Sequence, residues 1–393
     1  MPNAKFSEPA NILCVGNGWL LSKPGGLERY VYELTHHLAA EQDRIELWGV
    51  GLPAVAPNPL IKLTNLAESD SPMWRRLWAT GTQWAQRQAP HPDAVSLHFV
   101  PYSFPLLPSF PSGVPITYTF HGPWGLESQG EGSSQLNVLL KRWMEQLVYR
   151  RCDRFIVLSK AFGTILHQEY DIPWEKIHII PGGVDTTYFR PNLSRQEART
   201  QLNWPSDRPI LFTPRRLVHR MGLDKLLNAL IQVKTQVPDV WLAIAGKGPL
   251  RNDLERQVQQ LGLENNVRFL GFLPDEQLPF AYQASDLTVV PSQSLEGFGL
   301  ILLESLACGT PALCTPVGGM PEVLDPFCPD LVTQTPEETA IAERLIELLS
   351  GRIPLPSRAA CSEYASTHFD WKIIAQKVRQ VLMMPTTRMK SLR

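Results

Sequence analysis

The sequence predicts an α/β protein made of two doubly wound parallel-sheet domains in tandem. The chain has 393 residues, more than one hydrophobic core usually serves. Short apolar runs alternate with helical patterns along the sequence, which is typical of βαβ units. A polar, proline-punctuated stretch at 185–209 interrupts this alternation once and indicates the region of the domain boundary.

Apolar runs bounded by turn residues predict the strands. We expect strands at 11–17, 44–51, 94–100, 115–122, 154–160, 176–183, 210–217, 240–246, 267–273, 287–292 and 310–316. Helical spacing predicts a first helix with one apolar face formed by Leu27, Tyr30, Val31, Leu34 and Leu38. Further helices are expected near 222–236, 249–262, 275–284 and 299–308. The segment 100–115 is too rich in proline for a helix and is predicted to be a loop.

Composition and charge exclude several classes of function. The net charge of −1 argues against a nucleic-acid-binding protein that relies on bulk positive charge. The first residues have no apolar segment of signal-peptide length, and no stretch approaches the roughly twenty apolar residues of a membrane span. The six cysteines include no C-x-x-C pair and are interpreted as reduced thiols. We therefore expect a cytoplasmic protein, with attachment to the inner face of the membrane as an alternative.

The stretch EGFGLILLES at 296–305 predicts an anion site. Gly297 and Gly299 lie where the strand is expected to turn into a helix, and a helix N-terminus carries about half a positive charge. Glu304, just over one turn into the helix, is placed to accept hydrogen bonds from a ribose diol. Glu296 precedes the turn and is expected nearer whatever a diphosphate carries. The alternative is a helix with one solvated and one capping glutamate.

The order of motifs in PSQSLEGFGLILLESLACGTPALCTPVGGMPEVL, 291–324, resembles the retaining GT-B glycosyltransferases of glycosyltransferase family 4, the glycosyl transferases group 1. The family signature is a Glu, seven residues and a second Glu, followed by a G-x-P turn and a G-G-x-x-E segment. The resemblance implies two Rossmann-like domains that face each other across a donor-binding cleft. It assigns 1–190 to an acceptor-binding domain, which a helix at 370–384 rejoins, and 191–369 to a nucleotide-sugar-binding domain. The tail 385–393 is predicted to be disordered.

The resemblance also assigns site residues. The segment RRLVHRMG places Arg216 on a family arginine that binds phosphate, but Met221 stands where the family has lysine. A thioether cannot neutralise phosphate, so we expect the neighbouring Arg220 to take that role. The catalytic residues implied are His121, Arg216 and Glu296. The donor-binding residues implied are Gly25, Gly26, Arg220, Gly246, Lys247, Phe272, Leu273, Gly297, Phe298, Gly299, Leu300 and Glu304.

The predicted reaction needs no metal or other cofactor. No D-x-D motif occurs in the sequence, so the protein itself is expected to stabilise the departing diphosphate. The resemblance implies transfer of a hexosyl group, with retention, from a nucleotide diphosphate sugar to a hydroxyl of a sugar, glycan or lipid-linked acceptor. A UDP-sugar is favoured because it is the family's commonest donor, and GDP-mannose is possible.

Other functions stay open at this point. A nucleotide-sugar epimerase has a similar architecture, although no set of acid and base carboxylates is evident for it. Met221 raises a donor-binding subunit without transfer activity. A dehydrogenase is disfavoured because Gly16 and Gly18 are not followed by the rest of a compact G-x-G-x-x-G motif.

Two segments bear on a membrane contact. The segment 71–88 combines Trp74, Trp78 and Trp84 with arginines, and the segment 141–154 is also basic. Aromatic residues beside arginine suit a surface with anionic lipid, as a lipid-linked acceptor would require. The alternative is an ordinary helix whose tryptophan face packs on the sheet.

Overall fold

The computed structural model describes residues 8–20, 25–130 and 134–386. The described chain divides into two compact units. The first comprises residues up to Gly182 together with those from Trp371 onward, and the second runs from Gly183 to Asp370. The sequence placed the division after residue 190, in the polar stretch that follows. The predicted tail lies, from residue 387 onward, outside the described residues.

Each unit contains one parallel sheet. In chain order the strands are β1 (Asn11–Gly18), β2 (Arg44–Val50), β3 (Ile61–Asn65), β4 (Ala94–Leu97), β5 (Ile116–Phe120), β6 (Arg154–Val157), β7 (Ile177–Ile179), β8 (Ile210–Pro214), β9 (Trp241–Ala245), β10 (Val267–Gly271), β11 (Leu287–Val290) and β12 (Ala312–Cys314).

Helices connect most successive strands, although none lies between β2 and β3. They are α1 (Gly26–Ala40), α2 (Met73–Ala85), α3 (Val100–Ser103), α4 (Trp124–Gly130), α5 (Gln135–Arg151), α6 (Lys160–Tyr170), α7 (Arg195–Leu202), α8 (Leu223–Gln236), α9 (Arg251–Gln260), α10 (Leu278–Ala284), α11 (Leu300–Ala307), α12 (Met320–Leu324), α13 (Glu338–Leu349), α14 (Arg358–Phe369) and α15 (Trp371–Leu382). Short 3-10 helices include Phe104–Ser109 and His219–Met221.

Two predictions about local structure were wrong. The strand β3 was missed because it lies at the edge of its sheet and only Ile61 among its residues is buried, which leaves no apolar run to detect. The segment 100–115, predicted to be a loop, contains α3 and the 3-10 helix Phe104–Ser109. Proline is tolerated in the first turn of a helix, where its missing N–H has no partner to lose, and both helices have a proline there.

The strand order of each sheet identifies the edge where a ligand is expected. The first sheet has the order β3-β2-β1-β4-β5-β6-β7, and the second has the order β10-β9-β8-β11-β12. The direction of winding reverses between β1 and β4 in the first sheet, and between β8 and β11 in the second. In doubly wound sheets ligands bind outside the carboxyl ends of the strands at such a reversal. The loops after these four strands therefore form the candidate site regions.

The C-terminal helix α15 is held in the first unit by a buried ion pair. Arg379 donates from Nε to Asp43 Oδ2 at 2.7 Å and from Nη2 to Asp43 Oδ1 at 2.9 Å. The two side chains are 5% and 0% exposed. Asp43 Oδ1 also accepts from the backbone N–H of Ala10 at 2.9 Å, at the beginning of β1. One carboxylate thus joins the last helix of the chain to its first strand.

The six cysteines are free, and only Cys328 is not fully buried. No helix in the described ranges is long and apolar enough to cross a membrane.

We expect Arg379→Met to lower the free energy of unfolding by about 3–5 kcal/mol, because it leaves the carboxylate of Asp43 buried without its counter-charge. Urea unfolding monitored by circular dichroism measures this loss. Lys377→Met, on the exposed side of the same helix, is the control and should change stability by less than about 0.5 kcal/mol. Equal, small losses in both variants would contradict a stabilising role for the ion pair.

Candidate functional site

The loops at the carboxyl edge of the second sheet are joined to one another by backbone hydrogen bonds. Arg215, directly after β8, donates its N–H to Ala245 O at 2.8 Å, and Leu217 donates to Lys247 O at 3.0 Å in the loop after β9. Gln293, after β11, donates to Arg220 O at 2.8 Å. The loops after β8, β9 and β11 therefore fix one another's positions on either side of the reversal in winding.

An ion pair lies at this reversal. The Nη2 group of Arg215 donates to Glu296 Oε2 and, at 2.5 Å, to Ser292 Oγ. Ser292 Oγ in turn donates to Glu296 Oε2 at 3.1 Å. The side chains of Arg215 and Glu296 are 8% and 15% exposed, so the carboxylate is neither solvated nor fully enclosed. The alternative of a solvated glutamate does not fit this geometry at Glu296.

The protonation state of Glu296 depends on its neighbours. Burial raises the pKa of this carboxyl, but the charges of Arg215 and Arg220 and the hydrogen bonds from Arg215 and Ser292 outweigh burial and lower the pKa below its ordinary value. Glu296 is therefore an anion at neutral pH and can accept hydrogen bonds from hydroxyl groups of a ligand.

The resemblance assigned Arg216 to phosphate, and the sequence did not select its neighbour Arg215, which pairs with Glu296. Arg216 is exposed at the same loop. The half-buried Arg220 donates from Nη1 to Leu295 O at 3.4 Å and lies near enough to Glu296 to lower its pKa. Met221 is 6% exposed and its Sδ contacts Nη2 of Arg215 at 2.6 Å. The position with a lysine in the family is thus an apolar support for Arg215, and Arg220 remains close to the carboxylate.

The turn from β11 into α11 has the backbone that the sequence predicts. Gly299 is the N-cap of α11 and has a φ of +82°, a conformation that favours glycine. A Cβ on Gly318, in the loop after β12, would lie 1.7 Å from Glu296 O, so this position admits only glycine. Gly297 and Leu300 are half-buried, whereas Phe298 is 4% exposed and packs on Phe369. Phe298 can therefore contribute to a ligand site through its backbone only.

Glu304 is already engaged within the second unit. It is 4% exposed, and its Oε2 accepts a hydrogen bond of 2.7 Å from the hydroxyl of the buried Tyr282. The tyrosine fixes the orientation of the carboxylate one turn into α11. A ribose diol would have to approach this oriented carboxyl group.

The loops after β9 and β10, which carry the donor-binding residues implied by the resemblance, lie side by side. Gly246 donates its N–H to Gly271 O at 2.6 Å. The Nζ of Lys247 lies 5.3 Å from the ring centroid of Phe272, which is 49% exposed. Leu273 is half-buried beside it. The exposed ring and the ammonium group offer a stacking surface beside a cation.

The glycines of the first unit begin α1. Gly25 is its N-cap with an extended backbone and Gly26 is its first residue, and both are exposed. Residues 21–24, which precede these glycines, lie outside the described residues. Glu28, in the first turn, is 6% exposed and accepts a hydrogen bond of 2.6 Å from Nδ2 of Asn17. No motif in the sequence selects this buried carboxylate.

His121 is half-buried and belongs to a chain of polar groups at the carboxyl ends of β4 and β5, in which Ser96 and His98 are buried. Its Nε2 lies 3.2 Å from Nδ1 of His98, and Nε2 of His98 lies 2.9 Å from Ser96 Oγ. The ring of Tyr30, from α1, meets His121 edge-on at 4.9 Å. His98 was missed, although it also ends a strand, because nothing in the sequence shows that the two strand ends are neighbours.

Both imidazoles are neutral at physiological pH. Burial lowers the pKa of His121 to about 3, and burial together with the nearby His121 lowers the pKa of His98 well below its ordinary value. A neutral pair shares one N–H between the facing nitrogens, so one ring donates and the other accepts. His121 is thus a hydrogen-bonding group of fixed orientation and not a cation.

These features define two doubly wound α/β units whose carboxyl-edge loops carry guanidinium groups, a helix N-terminus and carboxylates. The family model described as Glycosyltransferase Family 4 matches residues 24–188, and the model described as Glycosyl transferases group 1 matches residues 194–368. The two matches span most of the chain. The chain therefore belongs to the family 4-like GT-B glycosyltransferases.

Known proteins agree with this placement. The chain is 32% identical over 222 residues to the GDP-mannose-dependent alpha-(1-6)-phosphatidylinositol monomannoside mannosyltransferase of Mycolicibacterium smegmatis. This match covers 53% of this chain and 57% of that protein. The matches to the first four curated relatives cover only 55% to 59% of the relatives' own lengths.

Solved structures show the same fold. Sucrose-phosphate synthase from Thermosynechococcus elongatus aligns with a TM-score of 0.79 and 23% identity, over 95% of this chain and 98% of that one. HepE of Anabaena, solved in complex with UDP and glucose, aligns with a TM-score of 0.76 and 22% identity, over 95% of this chain and 99% of that one. Both expected elements of the fold class, the paired Rossmann-like domains and the GT-B architecture, are confirmed.

We expect Arg215→Met to destabilise the wild-type protein by about 3 kcal/mol, because it leaves a partly buried carboxylate without its counter-charge. In a Glu296→Gln background the same change should cost about 1–3 kcal/mol less. Urea unfolding of the four proteins measures this coupling. Arg216→Met, the exposed neighbour, is the matched control and should show no coupling with Glu296. Purely additive losses would show that Arg215 and Glu296 do not interact.

The ion pair also predicts a pH dependence. A carboxyl whose pKa is lowered on folding adds stability above its unfolded pKa of about 4.3, and this stability is lost as pH falls through the lowered value. The difference in unfolding free energy between wild type and Glu296→Gln should therefore be constant from pH 7 to about pH 5 and shrink below it.

The histidine pair predicts a second cause of lower stability at acid pH. Here the unfolded protein binds a proton that the folded protein does not. Unfolding exposes His121, which then binds a proton below about pH 6.5, while the folded protein keeps this ring neutral down to about pH 3. Stability should therefore fall as pH is lowered from 6.5, and His121→Gln should reduce this slope by up to about 1.4 kcal/mol per pH unit. Unfolding at pH 7, 6 and 5 measures the slope, with exposed His91→Gln for comparison. Identical slopes in wild type and His121→Gln would contradict a neutral buried ring.

Proposed function

We propose that the protein is a retaining, metal-independent glycosyltransferase that moves a hexosyl group from a nucleotide diphosphate sugar to a hydroxyl of a sugar, glycan or lipid-linked acceptor. The observation that carries the proposal is the Arg215–Glu296 pair beside the glycine-capped N-terminus of α11. It puts positive groups and an ionised carboxylate at one sheet edge, which suits a ligand with both phosphates and hydroxyls.

The donor is proposed from the relatives together with the site. The Mycolicibacterium relative is named as GDP-mannose-dependent, and HepE was solved with UDP and glucose. GDP-mannose contains a diphosphate, a ribose and a hexose, and UDP together with glucose supplies the same three groups. The site offers corresponding groups: Arg216, Arg220 and the N-terminus of α11 for phosphate, Glu304 for ribose, and Glu296 for sugar hydroxyls. The base, uracil or guanine, is proposed to meet the Lys247–Phe272 surface.

The proposed chemistry follows from the charges. The bond between the anomeric carbon and the β-phosphate oxygen breaks, and a new bond forms between that carbon and the acceptor oxygen on the same face. The proton of the acceptor hydroxyl passes to the departing phosphate oxygen. Arg216 and Arg220 stabilise the charge that grows on the diphosphate. The neutral His121 is proposed to orient the sugar by a hydrogen bond, a role that needs no titration at physiological pH.

One observation favours a second candidate, a subunit that binds the donor without transferring it. Met221 is buried where the family has a lysine, and Arg215, its nearest cation, is directed to Glu296. If neither Arg216 nor Arg220 supplies the missing charge, the leaving diphosphate lacks stabilisation and only binding survives. Slow hydrolysis of the donor distinguishes the two candidates, because a competent transferase uses water when no acceptor is present.

We expect one nucleotide sugar from a panel of UDP-, GDP- and ADP-sugars to stabilise the wild-type protein in EDTA. At about one hundred times its dissociation constant it should add about 2.7 kcal/mol, which a shift in melting temperature reports. Glu304→Gln should lose most of this shift, since an amide offers the diol one neutral acceptor oxygen where the carboxylate offers two charged ones.

The control separates the orientation of the Glu304 side chain from its charge. Tyr282→Phe deletes the hydrogen bond that orients the carboxylate but leaves the carboxylate itself, so it should retain a larger share of the stabilisation than Glu304→Gln does. The proposal fails if no nucleotide sugar stabilises the wild type. Stabilisation without hydrolysis or transfer would instead support the binding subunit, and activity that needs added metal would contradict metal independence.

A further inference from the structure

The first unit exposes an apolar face along α5. Leu136, Leu139, Leu140 and Trp143 are 77%, 64%, 54% and 50% exposed. Their spacing of three and four residues places them on one side of the helix. The opposite side is anchored in the core by residues such as Val148. We call these four side chains the α5 face. An exposed row of this length is unusual for a soluble surface and indicates a contact.

A second exposed pair lies on α2. Trp74 and Trp78 are 70% and 68% exposed, one helical turn apart. Only Trp84, near the end of the helix, packs inward, against Trp48 and Phe110. The interpretation that the tryptophan face of this segment packs on the sheet is therefore wrong for two of its three tryptophans.

The two rows belong to helices that flank one segment. Both α2 and α5 pack on the 3-10 helix Phe104–Ser109. Phe104 in that helix meets the ring of Trp143 at 5.6 Å between centroids. Exposed tryptophan and leucine on neighbouring helices form the combination that lies at the boundary between lipid headgroups and acyl chains.

The charge of the two helices favours an anionic partner. Helix α2 contains Arg75 and Arg76 and no acidic residue. Helix α5 contains four basic residues, of which Arg142 pairs with Glu169 at 3.2 Å, and one acid, Glu145, which is 0% exposed and adds no surface charge. Burial raises the pKa of Glu145 to about 7, which further reduces its negative charge. The exposed apolar residues are thus accompanied by positive charge.

This charge argues against a second copy of the chain as the occupant. In a symmetric dimer the same patch meets itself, so the arginines and lysine of one copy would face those of the other. A bilayer with anionic lipid presents the opposite charge and accepts the apolar side chains as well.

We propose that the α5 face, together with Trp74 and Trp78, inserts into the interface of a bilayer that contains anionic lipid. The inference deepens the proposed function and rests on it in one respect: it selects a lipid-linked acceptor among the acceptor classes. Helix α4, which follows the loop of His121, packs on α5. The backbone N–H of Gly125 in α4 approaches Oε2 of Glu145 in α5 at 3.4 Å. A bilayer at the α5 face would therefore lie beside the segment that continues from His121.

Co-sedimentation of the full chain with vesicles tests the proposal. One set of vesicles contains phosphatidylcholine only, and the other adds about 30 mol% phosphatidylglycerol. We expect the wild type to bind the anionic vesicles and to bind the neutral ones several-fold more weakly. The variant Leu139→Gln, Leu140→Gln, Trp143→Gln should bind at least about tenfold more weakly, because three large apolar side chains no longer enter the interface. Trp74→Gln, Trp78→Gln should give a smaller loss.

The control makes the same kind of substitution, apolar to glutamine, at exposed positions outside α2 and α5. Val55 and Ile231 are 79% and 40% exposed outside the two helices, and Val55→Gln, Ile231→Gln should bind vesicles like the wild type. Unchanged melting temperatures show that the variants fold. Wild-type protein that stays in the supernatant, equal binding to both lipid compositions, or an α5 variant that binds like the wild type would each overturn the proposal. So would a lipid-free dimer that the α5 variant converts to a monomer, since the face then binds a second copy.

The two proposals fail separately. The stabilisation by nucleotide sugar is measured without lipid, where the α5 variant should respond like the wild type. Vesicle binding without any response to nucleotide sugars would leave the membrane contact standing and remove the proposed transfer. A response to nucleotide sugars without vesicle binding would do the reverse.

Discussion

The ion pair between Arg215 and Glu296 is the interaction on which the second unit's candidate site depends. It joins the loops after β8 and β11 at the point where the winding of the sheet reverses. The backbone N–H of Gln293 donates to Arg220 O and holds these two loops together, and the loop after β12 lies so close that a Cβ at Gly318 would overlap Glu296 O. Charge and backbone therefore constrain each other: the loops fix the two side chains, and the pair keeps a partly buried carboxylate ionised.

The two units manage buried titratable groups in opposite ways. In the second unit Glu296 has cationic neighbours, so it stays charged despite burial. In the first unit His98 and His121 face each other without a counter-charge that outweighs burial, so both stay neutral. Burial alone favours the uncharged form, and a close opposite charge reverses that preference. One unit thus offers fixed charge and the other offers oriented, neutral hydrogen-bonding groups, which is the division of labour that the proposed reaction uses.

The α5 face consists of large apolar side chains that the fold leaves exposed. The inner side of α5 supplies core residues. Its outer side exposes leucines and a tryptophan to water, which is unfavourable for apolar side chains. Positive charge on the same helix favours an anionic partner for these exposed side chains. The face lies on the element that packs against the helix following His121, so a surface contact and a candidate site share one structural support.

The sequence alone determined the fold class, because hydrophobic periodicity and the glycine turns are local properties. It located every described strand except β3 and the helices α1, α8, α9, α10, α11 and α15, and the E-x7-E motif and its glycines placed the turn from β11 into α11. It missed β3, whose edge position removes the apolar signal, and the helices at 100–109, where prolines occupy first turns. Only the tertiary structure identified Arg215 as a partner of Glu296, since the two residues follow different strands that are distant in the sequence. Only it paired His98 with His121 and left Trp74 and Trp78 outside the core, because neighbours across a sheet and burial of a helix face are set by packing between distant segments.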